Sequence, residues 1–462
     1  MLNVDEHKPV LSFVEHDGLE QYNKAEDVAA FNKLLDAGLS LPSFVLCGDS
    51  VKDVKYLGVS KKDGTPKAHY YIGASWFVEN ECAFVVKPKV DVDYIKLFMT
   101  ALEMNSENEA EYFSNYYHID FEKPEIKTES LDCVITPLLI LHYLSLLKHL
   151  VLKGLKKGYV VQEKNLQSKI RGRFLLQKHL TKNVFAKRED RVYCRFQEFT
   201  EDIPENRILK KALLFSVRFI SNVPSVRDKT EEFEKLKKIL SLITPAFENV
   251  SEDVSIAQVS KINAGKIFRH YESAIKVAKQ ILRHFDYSID NVSEKIGFVR
   301  PFCIDMPRLY EMYVLGLLRD AYPDQIKFQV AGRCKTKVDF IKNGGGENLI
   351  LDAKYKPQYN EGNKGILDDI REISGYARDE KILKALDWKP EDGCKKEYYF
   401  PRCVIIYPDK SAKFENDSEY KDDECEEISA FNCDGVIKEN SKIKEIPGFV
   451  GFYKIAVPLP VR

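Results

Sequence analysis

Two acids and a lysine stand on either side of a glycine-rich turn. Asp339 lies in Thr336-Lys337-Val338-Asp339-Phe340-Ile341, and Asp352 and Lys354 lie in Asn348-Leu349-Ile350-Leu351-Asp352-Ala353-Lys354-Tyr355. Between the two apolar runs, Asn343-Gly344-Gly345-Gly346-Glu347 signals a hairpin. With Gly344 to Glu347 as a four-residue loop, Asn343 pairs with Asn348, and counting back opposes Asp339 to Asp352. Opposed residues share a face, with β-carbons about 4.5–5.5 Å apart. Two carboxylates that close repel each other unless a cation lies between them, and a hard divalent ion suits oxygen ligands. Lys354 follows Asp352 by two positions and projects from the same face. Its ammonium can orient a water or stabilise charge growing on a phosphate. Acid-x-Lys alone is unspecific: Asp53-Val54-Lys55, Glu125-Ile126-Lys127, Asp379-Glu380-Lys381 and Asp387-Trp388-Lys389 all show it. What distinguishes Asp352-Ala353-Lys354 is its place at the end of an apolar strand, facing a second acid. The competing reading is a buried Asp–Lys salt bridge.

The elements that must hold these residues alternate after residue 300. A helix is predicted over Met306 to Tyr322, followed by strands at Gln325 to Val330, Thr336 to Lys342 and Asn348 to Tyr355. A helix over Gly365 to Lys384 and strands at Tyr398 to Tyr407 and Phe449 to Val457 complete the pattern. Such alternation implies a layered α/β domain. The acidic, polar stretch from Asn416 to Ser441 reads as a surface excursion. The first 110 or so residues read mainly as strands, at Val54 to Ser60, His69 to Phe77 and Cys82 to Val90. They are punctuated by Asp63-Gly64-Thr65-Pro66 and Glu79-Asn80-Glu81, and a helix follows near Asp93 to Met104. From about 130 to 295 apolar stripes at helical spacing dominate, as in Leu209-Ala212-Leu213-Val217-Ile220 and Phe233-Leu236-Ile239-Leu240-Ile243. A third stripe is Ile267-Tyr271-Ala274-Val277-Ala278-Ile281. The expectation is therefore a multidomain α/β protein. It has a β-rich N-terminal domain (1–128), a mainly helical connecting domain (129–299) and a C-terminal α/β/α domain (300–462).

A chain of 462 residues exceeds one ordinary core, and 44% apolar with 31% charged residues is a globular balance. The net charge of −1 excludes wholesale coating of nucleic acid by overall charge, though not a local patch. Such a patch exists between Lys148 and Arg191, where thirteen Lys or Arg stand against three acids, with Tyr159, Phe174 and Phe185 interleaved. It can neutralise phosphates without reading sequence, Arg171 and Arg173 foremost, or form a solvated helix-and-loop surface or meet an acidic partner. The apolar run Cys133 to Leu152 carries Pro137, His142, Lys148 and His149 and reads as a buried helix, so no membrane partner is expected. Ten scattered cysteines without C-x-x-C spacing fit reduced thiols in a cytoplasm. The N-terminus lacks the blocks of a signal peptide. Gly265-Lys266-Ile267 lacks the upstream glycine and the hydroxyl of a phosphate-binding loop, so any nucleotide-driven step needs another polypeptide.

The Asp339, Asp352 and Lys354 arrangement resembles the PD-(D/E)xK nuclease core, and the surrounding chain resembles the McrC family, the nuclease subunits of modification-dependent McrBC restriction systems. The likeness is carried by Val86-Lys87-Pro88-Lys89, Ile170-Arg171-Gly172-Arg173 and Pro204-Glu205-Asn206-Arg207-Ile208-Leu209-Lys210. It continues in Leu309-Tyr310-Glu311, in the helix from Asp369 to Tyr376 with Ala377-Arg378, and in Val404-Ile405-Ile406-Tyr407-Pro408. Two departures stand out: Val338 replaces the nominal proline, and Glu372 stands where the family pattern has glutamine. The resemblance implies a C-terminal PD-(D/E)xK domain that cuts double-stranded DNA with Mg²⁺. Asp339, Asp352 and the Ala353 carbonyl would be ligands, with Lys354 positioning the attacking water and Glu311 an extra acid. Glu372 would be either a further acid or a solvent-facing charge, and Tyr376 a packing residue. It implies a McrB-type hexameric AAA+ GTPase as partner, stimulated by the N-terminal domain, in a restriction complex of the 5-methylcytosine type. Motor contact and chemistry would then be separable near residue 295. A rival reading is a non-catalytic adaptor that activates an AAA+ motor and keeps the nuclease fold as scaffold.

Overall fold

The computed structural model describes residues 9–17, 23–41, 43–45, 53–55, 57–59, 65–89, 92–101, 116–120, 122–127, 132–222, 230–254, 269–284, 298–333, 336–345, 347–356, 366–389, 400–409 and 443–460. The Asp63-Gly64 turn, Gly265-Lys266-Ile267, Gly346 and the acidic stretch from Asn416 to Ser441 lie outside the described residues. So do the ends of several predicted elements, at 60, 90, 102–104, 365 and 398–399.

The chain forms two compact units, one made of 1–141 with 296–462 and the other of 142–295. This differs from the three consecutive segments expected, because the two ends of the chain share one unit.

In that unit the N-terminal sheet is built from near-continuously buried strands. Val10–Val14 runs parallel to Cys82–Lys87, which pairs antiparallel with Tyr71–Val78 across the Glu79-Asn80-Glu81 turn. The next strand is not N-terminal at all. Phe302–Asp305 lies between Tyr71–Val78 and Tyr117–Ile119, antiparallel to both. Gly73 permits this: its φ is +147°, and a Cβ there would stand 2.0 Å from the Phe302 carbonyl oxygen. The Ala25–Asp36 helix, which the sequence analysis did not predict, buries Phe31 against Phe13 and Phe77, with ring centroids 6.1 and 4.5 Å away. Its Val28-Phe31-Leu34-Leu35 spacing is helical, but its N-cap is Lys24, so the usual capping signal is missing.

Asp305 ends the inserted strand and caps the helix Met306–Ala321, its side chain accepting from the Arg308 N–H at 3.2 Å. Pro307 fits the first turn, where no N–H is needed. This helix packs on Tyr94–Ala101 so closely that a Cβ on Gly316 would come within 2.2 Å of the Thr100 carbonyl. Its Tyr313 hydroxyl donates to the Pro458 carbonyl at 3.0 Å.

The second sheet has the order Ile326–Ala331, Lys337–Lys342, Leu349–Ala353, Arg402–Asp409, Phe452–Pro458, Ile443–Glu445. The first three strands are antiparallel, the next two pairings are parallel, and the last is antiparallel. Five of the six fall within a few residues of their predicted positions, and the edge strand Ile443–Glu445 was not predicted. One face buries Ile350, Cys403 and Ile405 under Ile366, Ile370 and Ile373. The single helix expected over Gly365 to Lys384 is two, Ile366–Tyr376 and Glu380–Ala385. Asp379 breaks it by capping the second, accepting from the Lys381 N–H at 2.8 Å.

The described residues of the 142–295 unit are mostly helical, but a three-stranded sheet the sequence analysis did not predict interrupts them. Gly158–Gln167 and Arg191–Thr200 form a ten-pair antiparallel ladder with Arg173–Phe174 on its far side. The basic stretch is therefore part sheet, at Gly158–Gln167 and Arg173–Phe174, and part helix, at the end of Asp132–Lys153 and over Leu176–His179 and Leu180–Val184. Val160, Val161, Val192, Tyr193 and Phe196 are good strand formers, and the interspersed charges hid their pattern. Helices Pro204–Asn222 and Arg269–His284 pack beside each other. The buried Asn206 donates to the Lys156 and Glu201 carbonyls at 2.9 and 2.7 Å and accepts from the Tyr271 hydroxyl at 3.0 Å. Lys210 donates to the Val250 carbonyl at 2.5 Å. The family-like Asn and Lys of this helix thus tie down loops. No described helix is long and apolar enough to cross a membrane, the Asp132–Lys153 helix included. Cys82, Cys194, Cys303 and Cys403 are buried thiols.

Because Phe302–Asp305 lies inside the N-terminal sheet, the expected separability near residue 295 fails. In a fragment of residues 1–295 the Tyr71–Val78 amides should lose protection against hydrogen exchange, while the 142–295 unit keeps its own. Full protection of Tyr71–Val78 in that fragment would contradict this topology.

Candidate active site

The hairpin has the register read from the sequence. Phe340, Ile341 and Lys342 pair with Leu351, Ile350 and Leu349, and one more step along both strands reaches Asp339 and Asp352. Asp339 Oδ2 accepts from the Ala353 N–H at 3.0 Å. Asp352 is 1% exposed, and its Oδ2 receives no hydrogen bond of good geometry although Lys354 Nζ lies 2.8 Å away.

Lys354 instead directs a hydrogen bond to Glu372 Oε2 at 3.0 Å, and the Tyr376 hydroxyl donates to Glu372 Oε1 at 2.9 Å. The Ile366–Tyr376 helix therefore brings Glu372 and Tyr376 into the site. Glu372 is neither a purely solvent-facing charge nor buried, since its side chain is 47% exposed. Tyr376 both packs, as expected, and bonds.

Glu311 enters from the Met306–Ala321 helix and accepts from Gln329 Nε2 at 2.5 Å. Gln329 escaped the sequence analysis. It has φ +52°, a left-handed conformation costly for a residue with a Cβ, beside the acidic cluster. Nothing in the strand's apolar pattern marks it. Arg171 and Arg173 belong to the 142–295 unit. Arg171 pairs with Glu198 at 3.3 Å and stacks on Phe196 at 4.4 Å, and Arg173 is exposed.

A structural salt bridge would be charge-balanced, whereas Asp339, Asp352 and Glu372 share the Lys354 ammonium and Glu311 stands beside Asp352, with the Arg308 charge acting on it. The nearby Lys356 is bound to Asp369, 2.8 Å from both of its oxygens. Burial lifts Glu311 to about 7, with the Asp352 charge adding to the rise and the Gln329 bond opposing it. Burial and then neighbouring acids push Asp339 and Asp352 well above the usual carboxylate range. Burial opposes the Lys354 charge, yet Asp352, Glu372 and Asp339 hold it firmly protonated.

The donor set fits a hard cation. Carboxylates that repel and a buried oxygen without a hydrogen bond are what a divalent ion would satisfy. No three acid, His or Cys side chains among the described residues stand close enough to enclose a metal by themselves. Mg²⁺ needs only one or two carboxylates because it keeps several waters.

A family model described as "McrBC 5-methylcytosine restriction system component" matches residues 68–370, more than half of the chain. Among solved structures, the chain is similar to one in "Refined half-complex from tetradecameric assembly of Thermococcus gammatolerans McrB AAA+ hexamers with bound McrC". Identity is 14% and the TM-score 0.40, over 97% of this chain and 94% of that one. It is also similar to one in "Cryo-EM structure of the Thermococcus gammatolerans McrBC complex", at 15% identity and TM-score 0.30, over 68% of this chain and 88% of that one. No curated protein matches the chain.

Raised carboxylate pKa values cost stability as pH rises. The Glu311 contribution is fully present below its unfolded value, near 4.5, and is lost as pH climbs through about 7. Without metal, the melting temperature should therefore fall across that window. Asp352→Asn should relieve repulsion, flatten the fall and stabilise the metal-free chain by about 1–3 kcal/mol at neutral pH. Melting curves in chelator, with and without the substitution, check this. A destabilised variant with the same pH slope would contradict it.

Proposed function

The chain belongs to the family of McrBC 5-methylcytosine restriction system components, and from that premise we propose that it is the DNA endonuclease subunit of such a system. The observation that carries this reading is the excess of buried carboxylate around Lys354, on a hairpin whose register opposes Asp339 to Asp352.

Asp339 and Asp352 would hold Mg²⁺, with the Ala353 carbonyl as a further oxygen. When bound, the ion supplies Lewis acidity and lowers the pKa of a water at its surface. Lys354 is placed to orient the attacking water and to neutralise charge on the phosphate in flight. Glu372 and Tyr376 fix the ammonium so that it need not reorganise during the reaction. Glu311, with a pKa near neutrality, can hold or release a proton at its carboxylate beside Asp352.

The substrate would be double-stranded DNA, with Arg171, Arg173 and the surrounding basic stretch contacting phosphates. No phosphate-binding loop occurs in the sequence, so the energy for translocation would come from a separate hexameric AAA+ GTPase. The cytoplasm is where such an assembly would meet incoming DNA.

Plasmid cleavage by the chain with its AAA+ partner, GTP and Mg²⁺ tests the reading. Asp352→Asn should cut at least about 10²-fold more slowly while keeping volume and fold. Lys354→Ala should retain divalent-ion binding, measured by calorimetry, and lose cleavage. Wild-type cutting by Asp352→Asn would sink the assignment. Motor stimulation by a wild-type chain that never cuts would favour the adaptor instead.

A further inference from the structure

One more buried acid abuts the catalytic strand, and it comes from the start of the chain. Glu15, just after Val10–Val14, is almost fully buried, and neither carboxylate oxygen receives a hydrogen bond of good geometry. Its N–H donates to the Lys87 carbonyl at 2.8 Å, which draws the end of the Cys82–Lys87 strand beside it. Lys89 follows. Its Nζ lies 3.9 Å from Glu15 Oε1, donates to the Tyr355 carbonyl at 3.3 Å and sits 4.1 Å from the centre of the Tyr355 ring. Tyr355 is the residue after Lys354. It is buried, and its ring is 5.6 Å from that of Tyr310, the neighbour of Glu311.

This contact falls where the catalytic strand loses its ladder. The hairpin pairing ends by Ala353, and Lys354 keeps one sheet bond, from its N–H to the Ile406 carbonyl at 2.8 Å. The chain then turns, with the Lys356 N–H on the Lys354 carbonyl at 2.7 Å. A four-carbon side chain reaches a fixed point only if its own peptide is fixed. Burial lifts Glu15 to about 7 while the Lys89 ammonium pulls it down, so the acid and the lysine hold each other in place.

We propose that Lys89, held by Glu15, is a positioning residue for Lys354: by bonding the Tyr355 carbonyl it pins the chain immediately after Lys354, just where that chain turns, and so fixes the base from which the ammonium reaches the site. The N-terminal sheet thereby enters the chemistry without touching substrate. The proposal rests on the nuclease reading, and its test separates the two. Full-length Lys89→Met and Lys89→Arg would be assayed with the AAA+ partner, GTP, Mg²⁺ and plasmid. Hydrogen exchange at residues 353–356 would be measured in parallel. Lys89→Met should lower kcat by about tenfold to a hundredfold, the scale of a small misplacement of a catalytic group. KM and melting temperature should stay near wild type, and exchange at 353–356 should quicken. Lys89→Arg, which keeps charge and reach, should restore most of the rate. The double variant Glu15→Gln/Lys89→Met removes the buried acid as well and should show the same kinetic loss in a folded chain. Wild-type kcat in Lys89→Met overturns the proposal, as does unchanged exchange. So does a loss of rate that tracks the melting temperature and is not rescued by arginine. If the wild-type chain itself cuts nothing, the nuclease reading fails, and the exchange measurement alone then decides whether Lys89 pins the strand.

Discussion

Three carboxylates gathered around the Lys354 ammonium, with a fourth, Glu311, beside them, are the constraint on which the rest of the structure depends. Left alone, Glu311, Asp339, Asp352 and Glu372 would drive apart the elements that carry them, since buried like charges are costly at any plausible effective dielectric. Packing holds them together. The hairpin is fixed by Ile341 on Ile350, and the Ile366–Tyr376 helix by Ile366, Ile370 and Ile373 on the same sheet face. The helix bearing Glu311 is anchored by its Asp305 cap and its close approach to Thr100. Stability is spent on this geometry, and the left-handed Gln329 beside it is a second local cost of the same kind. Such concentrated cost is what the proposed function accounts for.

Holding that cluster requires more than the C-terminal sheet. Phe302–Asp305 completes the N-terminal sheet and runs straight into the helix that delivers Glu311, so one continuous segment belongs to both layers of structure. The Asp93 N–H donates to the Pro460 carbonyl at 2.7 Å, and Tyr313 donates to Pro458, which bind the far strand of the second sheet to the same framework. A disturbance of the N-terminal sheet therefore has short mechanical routes to the carboxylates. The 142–295 unit interrupts this framework in sequence without being part of its compact body.

How far the sequence revealed this depends on the range of the interactions involved. The hairpin was legible to the residue, because turn chemistry and side-chain alternation are local and together set one register. The acids and the lysine on its face followed from that register. The order of the second sheet was not legible, nor was the entry of Phe302–Asp305 into the first, because both depend on pairings between strands that are not neighbours in sequence. Gly73 is the trace of that pairing, yet a glycine inside a strand says only that something approaches closely. The ladder of Gly158–Gln167 with Arg191–Thr200 was misread because its charges suggested a solvated surface, although its β-branched and aromatic residues were in plain view. Glu372 was undervalued for a different reason. Its role appears only when the Ile366–Tyr376 helix is docked against the hairpin.

That glutamate also bears on how Lys354 sits beside a buried aspartate two residues away. An ammonium 2.8 Å from Asp352 would ordinarily claim the carboxylate and leave little for a cation. Here its well-directed hydrogen bond goes to Glu372, and Asp352 Oδ2 is left with attraction but no hydrogen bond. A glutamine in the same place would offer a neutral acceptor and hold the ammonium less firmly, since charge-assisted bonds are roughly twice as strong. Half-exposure of Glu372 screens the pairing, so it can orient Lys354 without locking it. With Tyr376 donating to the other carboxylate oxygen, Glu372 is held from two sides, and the ammonium is divided between it and Asp352 rather than committed to either.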